Sequence, residues 1–312
     1  VSRSDRSDES DKSDKESVFM STDTRERMPV FPVGETAADY LATAVEAARA
    51  AGGHALEQRA RAGDVHEHFR HDVKLKLDLE CQAIALGRIH ARYPHHAILA
   101  EEDAACVATQ AASSGAAYAA PQFAARPGAQ TPEWVVDPID GTVNFFHGLP
   151  FWCCSVAVRI AGRSVAGVVF APEGDELYSA TWDGPALLNG APIRTSSTAD
   201  MRRALMLTGL SQKSEEESTR VEVIARLTEA VQKVRVLGAA ALDMCRVARG
   251  QADAYWEPAI HIWDMAAASL IVERAGGRGS VLASAGTRVN FVATNAPLHE
   301  AVVGLIRGET SR

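Results

Sequence analysis

Residues 134–145 read WVVDPIDGTVNF, and no other stretch of the chain limits fold and chemistry so tightly. Trp134, Val135 and Val136 are large and mostly β-favouring, which predicts the last part of a buried strand. Asp137-Pro138 is expected to break that strand, because proline has no N–H to continue a ladder. Asp137 and Asp140 flank a rigid Pro-Ile pair, and Gly141-Thr142 follows where the chain must turn tightly. Carboxylates this close repel unless a cation lies between them, and an all-oxygen ligand set suits a hard divalent ion such as Mg²⁺. A short helix opened by Gly141 would aim free N–H groups at the same spot and hold an anion such as phosphate. Metal and phosphate at one point imply phosphate-ester chemistry.

On its own, a D-P-x-D-G run more often marks only a strand-ending turn. Two further acidic groups change that balance. Glu101-Glu102-Asp103 follows the apolar run HAILA at 96–100 and so stands at a second strand end. Ile262-Trp263-Asp264-Met265 opens a long Ala-rich helix with an acid in its first turn, where a carboxylate also serves as a plain cap. Three acidic groups embedded in apolar sequence imply pairing or a metal, since a buried acid is costly without either.

These three motifs together resemble the inositol monophosphatase family, the Mg²⁺-dependent, lithium-sensitive sugar phosphatases. WVVDPIDGTVNF, ILAEED at 98–103 and IHIWDMAAASLIVERAGG at 260–277 stand in the family order, and the resemblance runs from about residue 37 to 307. It implies an α/β fold in which helix and sheet layers alternate as an αβαβα sandwich, a homodimer, and two or three Mg²⁺ ions. By resemblance, Glu101, Asp137 and the Ile139 carbonyl hold one ion, while Asp137, Asp140 and Asp264 hold a second. Glu101 and Thr142, with Asp78 behind them, position the attacking water. Asp140, Gly141, Thr142, Gly238, Ala239, Ala240, Glu257 and Asp264 are the implied substrate contacts. The chain departs from the family where a lysine usually precedes the Asp78 segment; here Glu67, Arg70 and His71 stand upstream, followed by Lys74 and Lys76. The implied activity is hydrolysis of a small polyol or sugar phosphate, myo-inositol 1-phosphate first. Fructose 1,6-bisphosphate, histidinol phosphate and 3′-phosphoadenosine nucleotides are the alternatives, with a non-catalytic RNA or transcription-complex role as another class.

Composition fits this expectation. The 312 residues can bury a sizeable core, and a net charge of −8 speaks against nucleic-acid binding. Cys81, Cys106, Cys153, Cys154 and Cys245 form no CxxC pair, so free thiols of a cytoplasmic protein are expected. No apolar run is long enough to span a bilayer, and the N-terminus lacks a signal-peptide core.

In chain order, residues 1–35 are expected to be a disordered extension, being almost wholly Ser and charge at the start. Met20 or Met28 is the expected true start. The body is expected over 36–312, in an N-terminal half (36–185) and a C-terminal half (186–312). Its first helix should run from Glu35 to Ala62, loosened at Gly52-Gly53. Val73, Leu75 and Leu77 alternate as a short strand, and Asp78 is expected to cap the next helix. Residues 104–133, rich in Ala, Ser, Gly, Gln and Pro, read as a surface insertion. PFWCCSVAVRI and SVAGVVFA form an antiparallel pair, and the second half alternates strand and helix. His147 is expected to be a half-buried, satisfied histidine, and His261 a structural neighbour of the Asp264 motif. Gly238–Ala240 suit close approach of a ligand or tight helix–strand packing.

Overall fold

The computed structural model describes residues 28–68, 73–102, 131–210 and 217–309. Most of the expected N-terminal extension, most of the insertion at 104–133, and Cys106 lie outside these residues. The first helix, α1 (Ala37–Glu57), leads to strands β1 (Val65–His68) and β2 (Val73–Leu75), helix α2 (Lys76–Arg92) and strand β3 (Ala97–Ala100). The acidic motif lies in β4 (Glu133–Asp140) and the short α3 (Thr142–Phe146). Then come β5 (Cys153–Ile160), β6 (Arg163–Ala171), β7 (Glu176–Thr181), β8 (Leu187–Leu188) and β9 (Ala191–Pro192). The second half runs β10 (Leu205–Thr208), α4 (Glu217–Ala230), β11 (Lys233–Arg235), α5 (Ala240–Ala248) and β12 (Ala254–His261). It ends with α6 (Ile262–Arg274), β13 (Gly277–Ala285), β14 (Arg288–Asn295) and α7 (His299–Arg307).

Two sheets organise the chain. One has the order β3-β4-β5-β6-β7-β8-β9, the other β11-β10-β12-β14-β13. Side-chain alternation along the strands gives each sheet two apolar faces. In β5, Val156, Val158 and Ile160 face α1 and α2, whereas Ala157 joins the core shared with α5 and α6. In the smaller sheet, Leu207, Tyr255 and Phe291 face that same central layer, while Met206, Trp256 and Val292 meet α4 and α7. The layers are therefore helix, sheet, helix, sheet, helix, the αβαβα sandwich implied by the motifs.

Three local expectations need correction. Gly52-Gly53 do not interrupt α1; a Cβ on Gly52 would come within 3.0 Å of Phe170 and Pro172, so glycine there lets the helix lie close on the sheet. Pro138 does not end β4. The pairing with β5 runs to Asp137↔Ser155, becomes irregular, and resumes at Asp140↔Cys153. A proline at such a bulge removes no ladder bond. Asp78 is not the N-cap of α2 but its third residue; Leu75, in extended backbone, is the cap.

Candidate active site

The carboxylates meet where strands of the large sheet end beside the central helices. Glu101 directly follows β3, and its N–H donates to the Val136 carbonyl at 3.1 Å, which fixes it beside the end of β4. Asp137 and Asp140 are buried in β4 itself, and Asp264 is half-buried as the third residue of α6. Asp78 and Asp264 share one local geometry. Each reaches back from the third helical position to accept the cap residue's N–H, Leu75 at 2.7 Å and His261 at 2.6 Å. An acid at the start of a helix thus acquires a fixed rotamer.

Charge ties these groups together. Burial first, then the nearby carboxylates of Glu101, Asp140 and Asp264 and a hydrogen bond with Glu101, hold the Asp137 carboxyl well above the usual range. Burial also raises Asp264, followed by the charges of Asp140 and Glu101. Asp140 is raised by burial only to about 6, because the backbone N–H groups of 240–242 and the Cys153 thiol favour its ionised form. Its Oδ1 accepts from Ala240 N–H at 3.0 Å and its Oδ2 from Ala241 N–H at 2.8 Å, across the start of α5. Among the described residues, no three His, Cys, Asp or Glu side chains have closed into metal-holding geometry. The carboxylates are instead hydrogen-bonded to backbone: Asp137 accepts from the Ile139 N–H at 3.1 Å, Asp264 from the His261 N–H, and Asp140 from the α5 terminus. The set is nevertheless all-oxygen, largely buried and mutually repelling, which fits a hard divalent cation.

The turn after Asp140 packs on the 238–240 segment. Gly141 has φ 91°, and a Cβ there would lie 3.0 Å from the Ala239 Cβ and 3.2 Å from the Gly238 oxygen. Thr142 donates its hydroxyl to the Ile139 carbonyl at 2.9 Å. Asn144 fastens the segments, its amide donating to the Phe151 and Leu237 carbonyls, each at 2.8 Å. Its place in the motif gave no hint of a partner almost a hundred residues away.

A second group was also hidden in the sequence. Lys74 Nζ donates to Glu102 Oε1 at 2.8 Å, and Gln82 exchanges two hydrogen bonds with the Glu102 backbone, both at 3.0 Å. Burial pulls the Lys74 pKa down, but Glu101, Glu102 and Asp78 outweigh it and the net shift is upward. Lys74 thus brings a positive charge to this end of the site. Asp78 is buried, and its Oδ1 has no hydrogen-bond partner among the described residues. Burial, then the charges of Glu101 and Glu102, raise its pKa.

Glu257 lies farther along, half-buried in β12, with Tyr255 donating to its Oε2 at 2.8 Å. Its charge acts on Asp264, joining it to the acidic group. His261 stacks on Trp263 with ring centroids 4.5 Å apart. His147 is exposed rather than half-buried, because it lies just past α3 with its ring edge-on to Phe146. Cys81, Cys153, Cys154 and Cys245 are free and buried. Among the described residues, no helix is long and apolar enough to cross a membrane.

Comparison with known proteins identifies the family. The Nus factor SuhB of Salmonella typhimurium is 32% identical over 277 residues, covering 87% of this chain and 97% of its own. The inositol monophosphatase of Mesembryanthemum crystallinum is 34% identical over 246 residues, 77% of this chain and 84% of its own. Among solved structures, the extragenic suppressor protein suhB of Bartonella henselae superposes with a TM-score of 0.74 at 25% identity, covering 87% of this chain and 100% of that one. The inositol monophosphatase from Anabaena gives 0.69 at 29% identity, covering 87% and 96%. Residues 37–304 match the inositol monophosphatase family, which supports a phosphatase. With the motifs, the layered fold and this match in agreement, the chain belongs to the inositol monophosphatase family.

Proposed function

We propose that this protein is a Mg²⁺-dependent phosphomonoesterase that hydrolyses a polyol phosphate, with myo-inositol 1-phosphate as the first substrate to test. The observation that carries the reading is the coupling of Glu101 and Asp137 to Asp140 and Asp264, next to the N–H groups of 240 and 241. In this reading Glu101, Asp137 and the Ile139 carbonyl would hold one ion, and Asp137, Asp140 and Asp264 another. When bound, Mg²⁺ supplies Lewis-acid charge to the phosphoryl group, the attacking water and the departing oxygen.

The chain's own residues do the rest. Thr142 commits its hydroxyl proton to the Ile139 carbonyl, so its lone pairs are turned to a water. Glu101 takes that water's proton, with Asp78 steadying it from behind. The N–H groups that follow Asp140 hold phosphate oxygens, so stabilisation comes from position and charge. Gly238, Ala239 and Ala240 let the polyol approach backbone, and Glu257 accepts a hydrogen bond from one of its hydroxyls. Lithium sensitivity, a homodimer and a cytoplasmic setting belong to the same proposal.

Phosphate release, with and without Mg²⁺, from inositol, fructose, nucleotide and histidinol phosphates tests it. A second reading, regulation in an RNA or transcription complex without catalysis, is favoured by the relative named Nus factor SuhB. The net charge of −8 weighs against direct nucleic-acid contact. Release from none of these esters, with RNA or polymerase binding instead, would favour the regulatory role.

A further inference from the structure

We infer that Gly209 and Tyr255 set the orientation of Glu257, and that through it they decide which alcohol portion of a phosphate ester the site accepts. The inference rests on the polyol-phosphate reading above, with Glu257 as the contact to the polyol.

The geometry begins in strand register. β10 and β12 run parallel, pairing Leu207 with Tyr255 and Thr208 with Trp256, so the next residue, Gly209, comes alongside Glu257. Thr208 strengthens the junction by donating its hydroxyl to the Trp256 carbonyl at 2.6 Å. Immediately after Glu257 the pairing of β12 with β14 becomes irregular, and Ala259 adopts a φ of 61°. The regular pairing therefore ends at the glutamate, whose side chain stays half-buried.

Gly209 is a glycine for room, not for backbone freedom. Its φ lies outside the left-handed region, so alanine meets no backbone strain there. A Cβ at 209 would instead overlap the carboxyl carbon and both carboxyl oxygens of Glu257. The carboxylate rests in the space that a side chain at 209 would fill. On its other side, the Tyr255 hydroxyl donates to Oε2 at 2.8 Å, and Tyr255 itself is completely buried. The missing methyl leaves room for the carboxylate, and the buried hydroxyl bonds it there. A fixed acceptor at that point favours esters whose alcohol carries a hydroxyl at the matching position, and gives no advantage to an ester without one.

The test compares the full-length parent protein, Gly209→Ala, Glu257→Ala and the double variant, with Mg²⁺, on myo-inositol 1-phosphate and p-nitrophenyl phosphate. Gly209→Ala is expected to lower kcat/KM for the inositol ester about 10–100-fold, mainly through KM, the range for losing a hydrogen bond to a charged group. Its kcat/KM for p-nitrophenyl phosphate should stay within about twofold, since that ester has no hydroxyl for Glu257. Tyr255→Phe should move the same ratio in the same direction. In the double variant, Gly209→Ala should cost nothing beyond Glu257→Ala. Equal losses on both esters, or losses that add in the double variant, overturn the inference. Thermal unfolding of the same four proteins reads the contact without substrate: Gly209→Ala should lower Tm in the parent but not beside Glu257→Ala. An identical drop in both backgrounds overturns the inference as well. A parent protein that hydrolyses no polyol ester refutes the functional reading instead, and the unfolding comparison still decides whether the contact exists.

Discussion

Asp137→Asn should separate the cost of the acidic cluster from its use. The replacement is nearly isosteric: the new amide oxygen can still accept the Ile139 N–H, now 3.1 Å from Oδ1, and its NH₂ can donate to Glu101. Above the folded pKa of Asp137, where the parent carries the charge, one buried like charge disappears and one charge-assisted hydrogen bond replaces a repulsion, a gain of ~2 kcal/mol in the metal-free protein. For a chain of 312 residues that corresponds to a Tm increase of about 3 °C. The pH dependence has a definite sign. Asp137 in the fold stands well above the ordinary aspartate value, so it holds its proton more tightly folded than unfolded. The parent protein loses that contribution as pH rises through the folded pKa, while the asparagine variant does not. The variant's advantage should therefore be small in the ordinary aspartate range and grow as pH rises from there towards the folded pKa. Calorimetry in EDTA across that range measures it. In Mg²⁺, the same variant should lose phosphatase turnover by at least about 10²–10³-fold. Lower stability than the parent at every pH would refute the like-charge argument, and retained Mg²⁺-dependent turnover would refute the ligand role.

Other perturbations probe the walls of the site. Asn144→Ala removes two 2.8 Å hydrogen bonds and leaves the Phe151 and Leu237 carbonyls without that donor; it should cost ~2–3 kcal/mol in urea unfolding. A cost near zero would mean those carbonyls find other donors. Gly141→Ala forces a Cβ into a φ of 91° and against Ala239, so a loss of ~1–2 kcal/mol should accompany weaker phosphate binding by calorimetric titration. With Asp140 raised to about 6, Mg²⁺ must compete with a proton below that pH. The Mg²⁺ concentration for half-maximal thermal stabilisation should rise as pH falls from about 7 to 5, and a flat profile would exclude Asp140 as a ligand.

What could be read from the residues was set by local pattern. Val156, Val158 and Ile160 alternate with Ala157 and others because a two-faced strand needs that period, and Ala44, Ala47, Ala48 and Ala51 mark the buried face of α1. The acids of the site announced themselves because each interrupts an apolar run. The start of α2 was misplaced because the capping carboxylate, Asp78, lies at the third helical position and reaches back to the Leu75 N–H, while Leu75 itself is not a residue type that marks a boundary. Lys74 against Glu102, and Asn144 against Leu237, stayed hidden for a different reason. These contacts join residues 28 and 93 positions apart, and nothing in either neighbourhood encodes the other.

The central helix has a consequence for how this protein can vary. A Cβ at Gly167 would stand 2.9 Å from the Ala267 Cα, so β6 and α6 touch backbone to backbone with no side chain as spacer. Saturation mutagenesis should find positions 167 and 267 closed to anything bulkier than their present residues. The β8–β9 hairpin, whose Ala191 and Pro192 are exposed, should accept most substitutions. The depth at which α6 presents Asp264 is fixed by that missing thickness, so drift in the hairpin can alter the protein's outline without moving the carboxylate.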